Sequence, residues 1–362
     1  MQNFNPLLQN NNDGNRFITI GEIMLRLTPP NYEKIRSAST FEASYGGSEA
    51  NIALALANLG VDSTFFSVVP NNSLGKSAIR MLRSNDVHCT PVILSTPEQT
   101  PTHRLGTYYI ETGYGIRASK VIYDRKHSAI AEFDFSTVDL DSLLDGFTWL
   151  HLSGITPALS ENCHKLITNC LKTAKEKGIT VSFDGNFRSK LWSWEKARDY
   201  CTEYLPYVDI LFGIEPYHLW KDEADHDRGD VKDCVPLQPS YEQQDEIFQA
   251  FVARYPNIKC IARHVRYAHS GSENSLKAFL WYENHTFESR LFTFNILDRV
   301  GSGDSFASGL IYAMMHGYKP MDIVNFAVAS SAIKHTIRGD ANITDDVSTI
   351  RNLMNMNYDI KR

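Results

Sequence analysis

The stretch ILDRVGSGDSFASGLIYAMM, residues 296–315, sets two glycines and an aspartate in front of an apolar run of helical character. Glycines at a helix start leave successive backbone N–H groups free to hold an anion. Asp304, at the end of that turn, would repel a resting phosphate, and as a helix N-cap it would need no other function. The combination acquires chemical meaning if Gly301, Ser302 and Gly303 hold a phosphoryl group in flight while Asp304 takes the proton of an acceptor hydroxyl. Read that way, the stretch implies phosphoryl transfer to an alcohol.

Outward from this turn, YGGSEANIALALANLG (45–60) repeats the pattern of a glycine turn entering a buried helix, which stops at Gly60. RFITIGEIMLRL (16–27) before it reads as a strand, DSTFFSVV after it as another, and LGKSAIRMLRSN as a helix. This is the strand–helix order of a parallel sheet. Between residues 100 and 123 the rhythm breaks: THRLGTYYIETG and SKVIYDR form a hairpin-type excursion, read as part of a small lid. Alternation resumes through WLHLSG, a helix from Ser160 to Lys177, ITVSFDGN, a helix from Trp194, and VDILFG. Lys221–Glu246 is charged and poor in apolar residues, which predicts a solvated insertion. Strands at IKCIAR and SLKAFLWYE, then helices at DIVNFAVASSAIKHTI and near the C-terminus, complete the pattern.

The chain has 362 residues, 43% of them hydrophobic, enough for one large core. A net charge of −6 and the lack of a Lys/Arg cluster interleaved with aromatics argue against nucleic acid as a partner. No apolar run reaches the roughly 18 residues of a membrane helix, and residues 1–15 lack the features of a signal peptide. They predict a mobile tail on a cytoplasmic protein. The six cysteines, Cys89, Cys163, Cys170, Cys201, Cys234 and Cys260, have no zinc-ligand spacing and read as ordinary thiols. VVPNNSLGKSAIRML imitates a phosphate-binding P-loop, but Pro70 stands where that loop needs its first glycine and offers no N–H.

DRVGSGDSFASGL and YGGSEANIALALANLG, in this order along the chain, resemble the C-terminal and N-terminal signatures of the ribokinase-type (PfkB) carbohydrate kinases. SKVIYDRKHSAIAE, WLHLSGITPALS, FDGNFRSKLW and KHTIRGDAN are most similar to the 2-keto-3-deoxygluconate kinases within that family. The resemblance spans residues 17–343. It implies an α/β, ribokinase-like fold over residues 16–362: a central, mostly parallel sheet flanked by helices, with a small β-sheet lid from segments 23–45 and 100–125. It further implies transfer of phosphate from ATP, with Mg²⁺ and a monovalent cation, to the terminal 6-hydroxyl of 2-keto-3-deoxygluconate. A homo-oligomer is the expected assembly.

Residue by residue, the resemblance makes Asp304 the base and Gly301, Ser302 and Gly303 the anion hole. It sets Gly47, Asn51 and Tyr108 against the sugar, and Tyr123, Arg125 and Arg188 at its acidic end. The chemistry agrees, because a carboxylate calls for guanidinium groups and a neutral sugar does not. Arg188 also follows the strand ITVSFDGN, at the carboxyl end where open α/β sheets bind ligands.

Two departures stand out. Ile214 takes the place of asparagine in a magnesium-organising Asn-x-x-Glu motif, leaving Glu215 as the nearby acid and Asp298 as a candidate beside a cation site. Ser270-Gly271-Ser272 is the nearest turn to a nucleotide-side Lys-x-Gly-x-x-Gly. The same chemistry on fructose, ribose or a nucleoside, or sugar binding without turnover, are the alternatives.

Overall fold

The computed structural model describes residues 14–215, 238–343 and 346–357. In chain order the elements are β1 Arg16–Ile20, β2 Met24–Thr28, β3 Glu42–Gly46, α1 Ser48–Asn58, β4 Asp62–Phe66, β5 Val68–Pro70, α2 Ser73–Arg83 and β6 Ile93–Ser95. Then come β7 Thr107–Glu111, β8 Lys120–Asp124, α3 Ala129–Glu132, α4 Leu140–Leu143, β9 Trp149–Ser153, α5 Glu161–Glu176, β10 Thr180–Asp184, α6 Trp194–Tyr204 and β11 Ile210–Phe212. The rest are α7 Tyr241–Arg254, β12 Cys260–Ala268, β13 Glu273–Tyr282, β14 His285–Glu288, β15 Phe292–Asn295, α8 Ser302–Met315, α9 Pro320–Lys334 and α10 Val347–Met354.

The large sheet runs β14-β13-β12-β11-β10-β9-β1-β4, with β15 also on β13. Its pairs from β4 across to β12 are parallel, and β13 pairs antiparallel with β12, β14 and β15. Helices cover both faces, so its strands are apolar on both sides. Alternate residues divide between two cores. Ile18, Leu150 and Leu211 pack with α5 and α6, whereas Phe17, Trp149 and Ile210 pack with α1, α8 and α9. A separate small sheet has the order β3-β2-β7-β8. No helix among the described residues is long and apolar enough to cross a membrane.

RFITIGEIMLRL, read as one strand, is two strands in two sheets. A Cβ on Gly21 would lie 2.2 Å from the Glu49 carboxyl carbon, so this side chain fills the space beside the chain where β1 ends. DSTFFSVV divides likewise, β4 joining the large sheet and β5 pairing with β6. The predicted insertion ends earlier than its composition suggested. Residues 241–246 open α7, Ser240 and Gln243 form a capping box, and Gln244 is buried. Residues 216–237, with Cys234, and residues 1–13 of the expected tail lie outside the described part; the other five cysteines are buried and free.

α8 is apolar all round because it lies between α1 and α9. Gly309 lets α9 come close: a Cβ there would be 2.9 Å from that of Ser330. This packing carries the start of α8 to the carboxyl edge of the large sheet, below the small sheet.

Candidate active site

A cleft of about 1230 Å³ opens at that edge. Its floor comes from the residues that follow the parallel strands, among them Glu22, Ile155, Asn186, Arg188 and Glu215, and from the start of α8. Gly301 N-caps α8 at φ 78°, a left-handed conformation, and a Cβ on it would meet the Asp340 carbonyl oxygen at 1.7 Å. Glycine is required there on both counts. The first α8 bond runs from Ser305 N–H to the Gly301 carbonyl, so the N–H groups of Ser302, Gly303 and Asp304 precede the helical ladder and face the cleft.

Asp304 is gripped from α1. Ser48 Oγ donates to its Oδ1 and Asn51 Nδ2 to its Oδ2, each at 2.7 Å. Asn186 Nδ2, from the loop after β10, donates to Ser48 Oγ at 3.0 Å and extends the chain of bonds. Burial raises the Asp304 pKa, and the Asn51 and Ser48 bonds pull it back. A carboxylate that is fixed in place and reluctant to ionise has the properties of a general base.

Of the five arginines that line the cleft, Arg125 pairs with Glu22 and Arg263 with Glu215, which leaves Arg188, Arg266 and Arg299. None has a carboxylate ion pair among the described residues. Arg266 Nη2 donates to Ser302 Oγ at 2.7 Å, and its buried Nε has no partner. Burial first, then Arg299 and Arg188, push its pKa down to about 10. Such a cluster beside free N–H groups has the charge and the donors to hold an anion.

The other end of the cleft is built by the small sheet. Arg125 is buried and its Nε and Nη2 both donate to Glu22 Oε2, so most of its charge is already answered. Tyr108 is buried, donates its hydroxyl to Asp340 Oδ2 and stacks on Tyr123 with ring centroids 5.8 Å apart. Arg26, on β2, joins Asp298 and Asp340 by two buried ion pairs. The small sheet is thereby fastened to the loop that backs Gly301.

Several expectations need correction. Gly47 lines the cleft, and a Cβ there would sit 1.9 Å from the Glu22 carbonyl oxygen, so backbone packing alone already requires glycine. Asp298 does not line the cleft; it faces Arg26. Glu215 does line it, with Arg263 Nη2 at 3.5 Å. Ser270 and Gly271 are also outside. The β12–β13 hairpin carries their turn past the cleft to the β7–β8 turn, where Gly271 N–H donates to the Gly115 carbonyl at 2.6 Å and Gly115 N–H to Ser272 Oγ at 2.7 Å.

The pfkB family carbohydrate kinase profile matches residues 15–234 and 277–346. The chain belongs to the PfkB family of carbohydrate kinases. It is 32% identical over 330 residues to the 2-dehydro-3-deoxygalactonokinase of Haloferax volcanii, covering 91% of this chain and 94% of that one. To the 2-dehydro-3-deoxygluconokinase of Bacillus subtilis it is 27% identical, over 89% and 90%. The crystal structure of the Thermotoga maritima 2-dehydro-3-deoxygluconokinase superposes with a TM-score of 0.85 at 35% identity, over 94% of this chain and 99% of that one.

As a PfkB kinase the enzyme uses ATP. Magnesium takes few protein ligands and keeps waters and phosphate oxygens, so it needs no dedicated carboxylate cage. Glu215 and Asp184 are among the carboxylates that line the cleft, and among the described residues no group of three or more His, Cys, Asp or Glu side chains could hold a metal ion. Asp184 and Asp340 lie in the quoted FDGN and RGDAN segments but drew no assignment. Arg266, on β12, and Arg299, in the turn before Gly301, likewise carry no assignment from the sequence. Position at strand and turn ends facing the anion turn was the available signal.

Glu49 offers a test of the buried charges in this PfkB kinase. Burial pushes it from 4.5 up to about 7, although Ser153 and Thr156 hydroxyls donate to its Oε1. Between those pH values the folded state keeps a proton that the unfolded state has released, so stability falls as pH rises. Glu49→Gln is therefore expected to flatten the decline of the thermal midpoint between pH 5 and 7.5, read by differential scanning fluorimetry. Equal slopes for both proteins would mean Glu49 ionises normally.

Proposed function

We propose that this kinase transfers the γ-phosphoryl group of ATP to the terminal hydroxyl of a 2-keto-3-deoxy sugar acid, 2-keto-3-deoxygluconate giving 2-keto-3-deoxy-6-phosphogluconate. The observation that carries the reading is the Arg188 guanidinium, which donates to the Phe187 carbonyl but has no carboxylate ion pair among the described residues, in the cleft that holds Asp304 and the anion turn. A neutral acceptor leaves that cation without a use at the sugar end; a carboxylate pairs with it. The names of the Haloferax, Bacillus and Thermotoga relatives support the same substrate class.

In this reading Asn51 and Ser48 hold Asp304 against the acceptor hydroxyl. Asp304 takes the proton as the hydroxyl oxygen bonds to the γ-phosphorus, the bond to the β–γ bridging oxygen breaks, and ADP leaves. The N–H groups from Ser302 to Asp304, with Arg266 and Arg299, meet the charge on the transferring group. Magnesium, when bound with the nucleotide, supplies further neutralisation of the phosphates. The sheet β3-β2-β7-β8 serves as a lid that excludes water, which spares ATP from hydrolysis. Its exposed apolar residues Tyr114, Ile116 and Ile122 are where the chains of a cytoplasmic homo-oligomer would pair.

Arg188→Ala is expected to raise KM for the sugar acid about 10- to 100-fold and to leave KM for an analogue with a neutral amide in place of the carboxylate unchanged. Steady-state kinetics on the two acceptors decides this. An equal KM change on both would remove the carboxylate assignment.

A further inference from the structure

Lys334 ends α9 and is fully buried. A buried ammonium is costly unless polar groups surround it. Its Nζ donates to the carbonyl oxygens of Asp298 at 3.4 Å and Ile337 at 3.1 Å. These two carbonyls begin the two segments that build the anion turn: Asp298 leads to Gly301, and Ile337 leads to Asp340, whose carbonyl oxygen packs on Gly301. Burial lowers the pKa of Lys334, while the charges of Asp298 and Asp340 raise it.

Each of the oxygens around this point already accepts from a protein donor. Asp298 Oδ1 accepts from Val300 N–H, and Oδ2 from Arg26 and from Gly339 N–H. Asp340 Oδ1 accepts from Arg26 and Oδ2 from Tyr108. The His335 carbonyl accepts from the N–H groups of Leu297 and Asp298. A hard cation needs several oxygens with free lone pairs. The monovalent cation expected beside Asp298 does not fit, because the Arg26 guanidinium already pairs with Asp298 and Asp340 and the Lys334 ammonium already stands between the two segments.

We infer that the Lys334 ammonium is a built-in cation, holding the 298–301 turn and the 337–340 loop in the geometry of the anion hole and freeing the kinase from any soluble monovalent cation. Lys334 is then a positioning residue, and the inference rests on the phosphoryl-transfer reading of the same turn.

The test compares the full-length wild type and Lys334→Met in chlorides of potassium, ammonium, sodium and tetramethylammonium at constant ionic strength. Both kcat from ADP release and the thermal midpoint are read. For the wild type, kcat should agree within about twofold and the midpoint should not depend on the cation. Lys334→Met should lose about 10- to 100-fold in kcat in tetramethylammonium. Potassium or ammonium should restore much of that loss saturably and raise the variant's midpoint. Activation of the wild type by potassium over tetramethylammonium overturns the inference even if the variant fails to fold. So does a folded variant that keeps full activity, or one that is inactive and indifferent to every cation. If no acceptor is phosphorylated, the reading of the reaction fails, and the midpoints still decide whether the variant gains a cation site that the wild type lacks.

Discussion

Asp304→Asn is expected to reduce kcat by about 10²- to 10⁴-fold while sugar and nucleotide still bind. The substitution preserves shape and removes only the capacity to take a proton. Asn51 can turn its amide over to face the new one, giving up only the 3.4 Å bond that its Oδ1 accepts from Gly47 N–H, and Ser48 Oγ, now 2.7 Å from Oδ1, keeps an oxygen partner. The fold therefore has little reason to change. Steady-state ADP release and calorimetric binding of the acceptor separate the two effects. Because burial raises the Asp304 pKa, the acid limb of kcat/KM in the wild type should lie above the ordinary carboxylate range. Activity is then lost as pH falls through that value, since the base must be unprotonated to act. A variant within tenfold of wild-type kcat would remove Asp304 from the role of base.

Gly301→Ala is expected to cost about 3 kcal/mol or more of stability and to abolish activity, because the strain of the left-handed backbone adds to a severe overlap. The new methyl would meet the Asp340 carbonyl oxygen at 1.7 Å, and Asp340 is itself held by Arg26 and Tyr108. That carbonyl cannot retreat without breaking the link between the small sheet and the anion turn. Gly303 is the control. A Cβ there would lie 3.7 Å from His264 Cε1, an ordinary contact, so Gly303→Ala should stay within about 1 kcal/mol of wild type. Chemical denaturation of both variants checks the contrast. Equal losses at the two positions would contradict the stated geometry of the turn.

Much of this could be read from sequence where the signal was local. The α/β alternation follows from apolar runs separated by glycine turns, and the glycine turn at Gly301 with Asp304 behind it is legible as the start of a helix. What escaped depended on distant residues. Nothing near Gly21 says that the Glu49 side chain, brought in by α1, fills the space where β1 ends. Nor does the run RFITIGEIMLRL say that its second half belongs to another sheet. Arg125 has the sequence context of a free cation, yet Glu22, about a hundred positions earlier in sequence, pairs with it, whereas Arg188 has no carboxylate ion pair among the described residues. Gly47 lines the cleft, but only the assembled structure shows that the backbone it accommodates is that of Glu22. Ser270 and Gly271 had the composition of a nucleotide turn, and only the length of the β12–β13 hairpin carries them to the β7–β8 turn. Lys334 sits in an apolar helix where a lone lysine reads as a surface residue, and its burial between two carbonyls is a property of the assembled core.

The central claim, a kinase for a 2-keto-3-deoxy sugar acid, is met most directly by initial rates of ADP release with ATP and Mg²⁺. The acceptors are 2-keto-3-deoxygluconate, 2-keto-3-deoxygalactonate, fructose and ribose. The account predicts that kcat/KM for at least one of the two acids exceeds that for either neutral sugar by about 100-fold or more, because Arg188 is left unpaired without the carboxylate. Fructose or ribose turned over as well as the better acid, or no phosphorylation of any of the four, would contradict it.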